Sequence, residues 1–215
     1  MQGLQLPTLE EVQYSITRTR KVPYLKQVDG YYNLRDGYNL GRNDDIAITM
    51  SIPHFSAYGL EDKPVYMLKK NLTKSVREKG NNEHYSAHAI PENVVRKISE
   101  HIKEPGLVVV GNGRVSIIAD EKVRGKYNKY APLLIGMNPN GKVDGEDAYE
   151  IKSLYGVDNF GTWLRLRAKD SRIFAGKSNK AVALLQQAGV QFSRVMQDAT
   201  DLTDLILAQD NDTVN

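Results

Sequence analysis

Between residues 106 and 156 the chain consists of short apolar runs separated by turn-forming residues, and this alternation constrains the fold most strongly. The run Leu107–Val110 is followed by Gly111-Asn112-Gly113 and then by residues 114–120, which predicts a hairpin. Residues 131–137 predict a third strand ending at the turn signal Asn138–Gly141, and residues 148–156 predict a fourth. Neighbouring short strands joined by turns favour an antiparallel meander.

Helical spacing before and after these strands predicts the rest of the architecture. Four residues form one apolar stripe and predict a single helix over residues 92–103: Val94, Val95, Ile98 and Ile102. Other elements are expected as extended segments at 46–51 and 63–67, a helix at 71–79 capped by Asn71, a last strand at 172–175 and a helix at 179–188. The predicted fold class is α+β, with N-terminal helices packed on a four- or five-stranded antiparallel sheet and a closing C-terminal helix.

The composition of the two ends differs from that of the middle. Residues 1–45 predict an arm or linker, with a short helix at 8–18 and turns at Asp29-Gly30 and Asp36-Gly37. Residues 46–190 predict one globular domain, and residues 191–215 an acidic tail. Residues 46–178 contain 21 Lys/Arg against 15 Asp/Glu, whereas residues 179–215 contain 2 against 5. The basic middle favours a polyanionic partner, over which the acidic tail could fold as a mimic.

Several classes of protein are not expected from this sequence. The chain has no cysteine, so disulfides, thiolate nucleophiles and Cys-based zinc sites are excluded, which fits a reducing cytoplasm. No apolar run is long enough to span a bilayer, and no signal peptide is expected. A glycine-rich phosphate loop, an HExxH pair and a carboxylate cluster are also missing from the sequence. We therefore expect no metal, no cofactor and no membrane partner.

The segment 148–156 carries polar groups that a purely structural strand does not need. In a regular strand Tyr149, Ile151, Ser153 and Tyr155 share one face, while Lys152 points to the other. Two hydroxyl side chains on one face could line a phosphate-binding cleft, or they could be ordinary half-buried strand residues. Lys152 could join that cleft only if the strand contained a bulge.

The order of six segments resembles that of nuclease-like domains at the C-termini of phage MuF-type head proteins and in large phage polyproteins: PVYMLKKNLTKSV, HAIPENVVRKISEHIKEPGLVV, RVSIIAD, APLLIGMN, YEIKSLYG and RIFAGKSNKAVALLQQAG. Those domains are grouped with the barnase, EndoU, colicin and RelE (BECR) class of metal-independent ribonucleases. The resemblance covers about residues 46–190. Its most specific parts are His88-Ala89-Ile90-Pro91, Glu104-Pro105 and Ile151-x-Ser153-x-Tyr155-Gly156.

This resemblance implies a toxin-like, phage-associated endoribonuclease that acts on RNA in the bacterial host cytoplasm or is carried in the phage particle. The substrate's 2′-hydroxyl would attack the adjacent phosphate, so the protein needs acid–base groups and donors for the developing charge. The expected catalytic residues are His88, Ser153 and Tyr155. The expected substrate-binding residues are Arg114, Lys152, Arg165, Arg172 and Tyr127. An immunity protein or a phage head component is a further expected partner.

Alternatives remain open at the level of sequence. His54 and His84 compete with His88 for the acid–base role, whereas His101 is expected to be solvated on an exposed helix face. Trp163, the single tryptophan, is expected in the core rather than facing a ligand. The chain could also be a non-catalytic phage head, nucleic-acid or partner-binding module, or, with less support, a transferase acting on a nucleotide or protein.

Overall fold

The computed structural model of the protein describes residues 23–32, 45–77, 88–125, 127, 129–191 and 197–211. The helix predicted at 8–18, the turn at Asp36-Gly37 and His84 lie outside the described residues. No helix among those that are described is both long and apolar enough to cross a membrane.

The chain begins with helix α1 (Tyr24–Tyr32), strand β1 (Asp45–Thr49), a 3-10 helix (Pro53–Tyr58), strand β2 (Val65–Leu68) and helices α2 (Lys69–Val76), α3 (Glu92–Arg96) and α4 (Ile98–Lys103). Four strands follow: β3 (Leu107–Gly111), β4 (Arg114–Arg124), β5 (Tyr130–Val143) and β6 (Glu146–Gly156). The last elements are α5 (Phe160–Ala168), β7 (Arg172–Ala175), α6 (Ser178–Gln187) and α7 (Thr203–Asn211). The α+β class is confirmed.

All seven strands form one sheet in the order β1-β2-β6-β5-β4-β3-β7. Strands β3 to β6 form the expected meander, and β7 pairs with β3. The prediction of a four- or five-stranded antiparallel sheet is wrong, because the β1–β2 hairpin adds two strands and β2 runs parallel to β6. This parallel pairing joins segments about 80 residues apart, and local periodicity carries no signal for such a contact.

Buried side chains cover both faces of the sheet, because consecutive strand residues point to opposite sides. The first face packs against the 3-10 helix and helices α2, α3 and α4, which contribute Phe55, Leu72, Val95, Ile98 and Ile102. The second face packs against α5, α6 and α7, which contribute Leu164, Leu184 and Ile206. Adjacent residues such as Ile117 and Ile118 belong to these two different core layers. The domain is therefore a three-layer structure with helices on either side of the sheet.

The turn between β5 and β6 lies later than the sequence predicts. It is formed by Asp144 (φ 56°) and Gly145 (φ 82°), both in the left-handed region that two-residue hairpin loops require. The predicted turn at Asn138–Gly141 is instead a bulge inside β5, where the register shifts between these two residues. Pro139 is tolerated there because a bulge does not need every backbone N–H in the ladder.

A second bulge lies in β6 and changes which side chains share a face. Gly136 pairs with Ser153 and Met137 pairs with Ile151, so Lys152 is an extra residue without a partner on β5. Ile151 and Leu154 both belong to the first core layer, whereas Tyr155 packs against the second. The prediction that Ile151 shares a face with Tyr155 is therefore wrong.

Two helix predictions are also corrected. The helix expected over 92–103 is broken at Lys97 (φ −96°, ψ 1°) into α3 and α4. Asn71 lies inside α2 rather than at its cap, and its Nδ2 donates to the Ile151 carbonyl oxygen at 3.0 Å. This bond satisfies the carbonyl at the point where β2 stops pairing with β6.

The described parts of both terminal segments pack onto the domain. Residues 24–32 form a helix instead of a turn at Asp29-Gly30, and Arg96 of α3 binds Asp29 at 2.7 Å. At the other end Ile206 of α7 and Leu202 just before it belong to the second core layer, so the helix at 179–188 does not close the fold. The acidic residues Asp198 and Asp201 bind Lys177 and Arg172 at 3.5 and 2.9 Å. These two carboxylates, which were expected to take part in a substrate mimic, are therefore already paired with basic side chains.

Candidate functional site

A cavity of about 270 Å³ opens on the second face of the sheet, between the β3–β4 turn, α5 and the residues before β7. Its polar lining consists of Asn112, Arg114, Ser116, Tyr155, Arg167 and Ser171. Its apolar lining includes Val109, Leu134 and Trp163. Two guanidinium groups, three hydroxyl groups and an indole ring in one concave space suit a ligand that is both anionic and aromatic.

The β3–β4 turn positions two of these residues. Asn112 (φ 51°) and Gly113 (φ 65°) both adopt left-handed conformations, as the Asn-Gly turn predicts. The turn brings Arg114 back opposite Gly111 at the start of β4. Gly111 must lack a side chain, because a Cβ atom there would lie 2.4 to 2.7 Å from atoms of Ser171. The turn and the segment before β7 therefore form one closely packed wall.

The sheet surface beside the cavity carries small residues in a row across three strands. Ser116 pairs with Gly136, which in turn pairs with Ser153. A Cβ atom at Gly136 would lie 2.8 Å from the Ser153 Oγ, so a side chain at this position would displace the hydroxyl. Ser153 is not among the residues that line the cavity, but it is two residues from Tyr155 on the same face.

His88 contacts the ring of Tyr155, which is one of the residues that line the cavity. The two ring centroids are 5.5 Å apart, with an angle of 37° between the ring planes. The backbone after His88 is held by two hydrogen bonds, from Ala89 N to Arg77 O at 3.1 Å and from Ile90 N to Ser75 O at 3.0 Å. Ala89 has φ 50°, an unfavourable conformation for a residue with a Cβ atom. This strained junction fixes the histidine over the tyrosine.

The phenol of Tyr155 stays protonated over a wider pH range than an exposed tyrosine. Burial raises its pKa above the usual value near 10, and the positive charges of Arg167 and Arg114 oppose that shift. Tyr155 is therefore a hydrogen-bond donor at neutral pH, with two guanidinium groups close enough to influence its charge. The histidine, the tyrosine and the two arginines form one constellation, which we call the His-Tyr-Arg cluster (His88, Tyr155, Arg114 and Arg167).

Helix α5 presents Trp163 and Arg167 to the cavity. They lie one turn apart, and the Arg167 Cζ is 5.8 Å from the centre of the Trp163 ring. Asp170 holds the far side of this wall. Its carboxylate accepts hydrogen bonds from Asn112 Nδ2 at 2.8 Å and from Ser171 Oγ at 2.7 Å, and it lies 3.5 Å from Arg167 Nη1. The cavity lining is thus fixed by contacts outside the cavity.

Three predicted site residues converge here, and others do not. His88 contacts Tyr155, Tyr155 and Arg114 line the same cavity, and Ser153 lies two residues from Tyr155 on the same face. The Lys152 ammonium binds the Glu150 carboxylate at 2.5 Å within the β6 bulge. Lys152 is the inserted residue of the β6 bulge. The bulge that Lys152 would need in order to share the face of Ser153 is therefore present.

Arg165, Arg172 and Tyr127 lie away from the cluster. Arg165 points away from Trp163 on α5, with Nη atoms near Gly161 and Gly189. Its buried Nε has no hydrogen-bond partner within the described parts of the chain. Arg172 covers the ring of Phe174, a first-face residue, at 4.7 Å and binds Asp201. Tyr127 is exposed in the β4–β5 loop, at the end of β4 opposite Arg114.

The other two described histidines, His54 and His101, lie on the first face. His54 packs against Phe55 and Tyr58, and its Nε2 is 3.1 Å from the Ile102 carbonyl oxygen. His101 is mostly buried near Glu121, at 3.7 Å, so the expectation that it is solvated is wrong. Burial lowers the pKa of both imidazoles. Among the described histidines, His88 is therefore the one in ring contact with Tyr155.

Sequence reasoning missed Arg167, Asn112, Ser116 and Ser171 and assigned Trp163 to the core alone. A signal for α5 existed, because Phe160, Leu164 and Ala168 repeat every four residues and are all buried. Trp163 and Arg167 each precede one of these core positions, so they flank the buried stripe. The sequence contains no comparable signal for Ser171, whose place depends on its approach to Gly111.

The described residues contain no group of three or more His, Cys, Asp or Glu side chains arranged to hold a metal ion. Comparison of the chain with protein-family models, with curated proteins and with solved structures finds no match in any of the three.

Proposed function

We propose that the protein is a metal-independent endoribonuclease that cleaves RNA by attack of a 2′-hydroxyl on the adjacent phosphate. The observation that carries this proposal is the 5.5 Å contact of His88 with Tyr155, beside Arg114 and Arg167. An imidazole, a neutral phenol and two guanidinium groups provide the groups that this reaction needs from a protein.

In the proposed reaction His88 takes the proton of the 2′-hydroxyl as the O2′–P bond forms. The bond between phosphorus and the 5′-oxygen breaks, and water protonates the leaving oxygen. The products are a 2′,3′-cyclic phosphate and a 5′-hydroxyl end. Imidazole suits this role because its ordinary pKa lies near neutrality.

Arg114, Arg167 and Tyr155 would stabilise the charge that develops on the phosphate oxygens. The guanidinium groups bind such oxygens through charge-assisted hydrogen bonds, and the protonated phenol donates one more. The hydroxyl of Ser153 is a further donor on the same face of the sheet. The exposed base next to the scissile phosphate would stack on an aromatic ring, as single-stranded RNA commonly does in proteins.

The first prediction is that the purified protein cleaves a single-stranded RNA oligonucleotide in EDTA. His88→Ala should slow cleavage about 10²- to 10⁴-fold, because it removes the general base. Tyr155→Phe should slow it roughly tenfold, because one hydrogen bond is lost. The measurement is single-turnover cleavage of end-labelled RNA, with identification of the cyclic phosphate product.

Two controls sharpen this experiment. Arg124 lies on the same strand as Arg114 but at its opposite end, so Arg124→Gln should cleave at the wild-type rate while Arg114→Gln is slowed. RNA with 2′-deoxy substitutions should resist cleavage, because the nucleophile is absent. Equal cleavage by wild type and His88→Ala, or no cleavage by either, contradicts the proposal. RNA binding without cleavage by both proteins favours the non-catalytic binding module instead.

A further inference from the structure

Trp163 forms an aromatic wall of the cavity and is the single tryptophan of the chain. It stacks on the Phe160 ring, with 6.3 Å between the ring centroids and 21° between the planes. Phe160 is buried, so the indole is supported from within the second core layer while it remains half-buried itself. A fixed indole that borders a cavity gives a flat surface on which a nucleobase can stack.

Asp170 determines which atoms two neighbouring residues can offer to a ligand. An ionised carboxylate only accepts hydrogen bonds, so Asn112 must turn its NH₂ group towards Asp170. Ser171 likewise uses its single hydroxyl proton in its bond to Asp170. What remains for a ligand is the carbonyl oxygen and the second N–H of Asn112, together with the lone pairs of the Ser171 hydroxyl. Both residues line the cavity, so each of them offers a hydrogen-bond acceptor at this edge.

Two arginines provide hydrogen-bond donors and positive charge in the same cavity. Arg114 and Arg167 line the same cavity, and the positive charges of both act on Tyr155. Arg167 also lies beside the Trp163 ring, at 5.8 Å from its centre. A phosphate held by these arginines is therefore next to a base stacked on Trp163. At about 270 Å³ the cavity is near the lower end of small-ligand sites, which suits one nucleotide better than several.

We propose that the cavity binds one nucleotide of the substrate and selects a base with an exocyclic amino group, so that cytosine is preferred over uracil. The phosphate binds Arg114 and Arg167, the base stacks on Trp163, and its amino group donates to Asn112 and Ser171. Uracil presents a carbonyl oxygen where cytosine presents its amino group, and two acceptors then face each other. The inference rests on the proposed function only in taking the bound nucleotide as a unit of RNA.

The test uses the fluorescence of Trp163, which reports stacking directly because no other tryptophan contributes. The full-length protein is titrated with 3′-CMP, 3′-UMP and cytidine. The expected result is saturable quenching by 3′-CMP, with a Kd at least about tenfold lower than that of 3′-UMP, as one hydrogen bond of discrimination predicts. Equal affinity for the two nucleotides, or no saturable quenching, overturns the inference.

Two variants assign the contacts. Arg167→Gln should weaken 3′-CMP at least tenfold and leave cytidine unchanged, because only the nucleotide carries a phosphate. Arg165→Gln on the same helix should change neither, since its guanidinium lies near Gly161 and Gly189. Asp170→Asn should reduce the preference for 3′-CMP over 3′-UMP to within about threefold, because an amide can donate as well as accept and releases Asn112 and Ser171. An unchanged preference in Asp170→Asn contradicts the inference.

The binding test and the cleavage test fail separately. Selective binding of 3′-CMP by a protein that does not cleave RNA supports the nucleotide site and contradicts the ribonuclease. Cleavage of RNA by a protein whose fluorescence does not respond to 3′-CMP supports the ribonuclease and contradicts the site. Cleavage after cytidine in a mixed-sequence RNA is expected when both are correct.

Discussion

Ala89, which follows the proposed general base His88, carries the backbone strain near the site. Ala89 has φ 50°, where a Cβ atom costs about 1–2 kcal/mol, and two backbone hydrogen bonds keep it there. Strain of this kind persists where the surroundings fix a conformation that serves a function. In this protein the strained residue lies at the junction that holds His88 in contact with the Tyr155 ring.

We expect Ala89→Gly to raise the free energy of unfolding by about 1 kcal/mol, because glycine adopts positive φ without a steric penalty. The same change should lower the cleavage rate, since the histidine is less firmly oriented. Urea denaturation and single-turnover cleavage measure the two effects. Gly59→Ala is the opposite control: it introduces a Cβ atom at φ 71° with no neighbour within 4 Å, so it should lose stability without affecting cleavage. An unchanged or reduced stability of Ala89→Gly contradicts the strain argument.

Individual residues were predictable where the main chain fixes them. The Asn112-Gly113 turn before Arg114 and the shared face of Ser153 and Tyr155 were predicted correctly, whereas Ile151 was wrongly placed on that face. Arg165 was named as a site residue and Arg167 was not, because no helix was predicted over residues 160–168 and the relative directions of the two side chains were therefore unknown. The apolar stripe of Phe160, Leu164 and Ala168 shows which side of α5 is buried. Using it to orient Arg165 and Arg167 requires knowing that α5 covers the second face of the sheet.

At the scale of elements, the β6 bulge decides how the strand contributes to both core layers. Ile151 belongs to the first layer and Tyr155 to the second, although a regular strand would place them together. One inserted residue, Lys152, changes the parity. The bulge is therefore the element-scale reason that Tyr155 reaches the cavity.

Deleting Lys152 should leave a regular strand in which every other residue keeps its face, because the deletion removes only the unpaired position. The fold and the 3′-CMP affinity should be retained, with a change in unfolding free energy within about 1 kcal/mol. Deleting Leu154 instead moves Tyr155 to the first face and should unfold the domain. Circular dichroism, urea denaturation and Trp163 quenching compare the two. Unfolding of the Lys152 deletion would show that the bulge is itself required for stability.

Element boundaries failed where two turn signals competed. Both Asn138–Gly141 and Asp144-Gly145 have turn composition, and only the second forms the hairpin. The outcome depends on the register with β6, because a turn at Asn138 would leave the residues beyond it unpaired. Composition alone cannot rank two turns that are a few residues apart.

At the scale of the whole molecule, the sheet is completed by contacts between distant parts of the chain. Local patterns predict the meander of β3 to β6 well. The parallel pairing of β2 with β6 extends the sheet beyond this meander, and α1 and α7 pack onto its two faces. Composition suggested separable ends, since residues 191–215 are acidic. Among the described residues of that segment, Leu202 and Ile206 are buried in the second core layer, and Leu205 and Leu207 pack against it.

The terminal helix therefore tests whether the end of the chain belongs to the domain. Ile206 is fully buried in the second core layer, and the preceding segment bonds β7 through Leu202 N to Ile173 O at 2.7 Å. Ile206→Ala should lower the free energy of unfolding by about 2–5 kcal/mol, whereas Asp204→Ala on the exposed side should change it by less than about 0.5 kcal/mol. Urea denaturation measures both. Equal stability of Ile206→Ala and Asp204→Ala would mean that α7 is a separable tail. A difference of the expected size makes residues 197–211 a part of the layer that carries the cavity.

The acidic residues before α7 give a separate test of the substrate-mimic idea. Because Asp201 already binds Arg172, Asp201→Asn should leave the affinity for RNA unchanged. If the tail mimicked the substrate, the same change would release the cavity and raise the affinity for RNA.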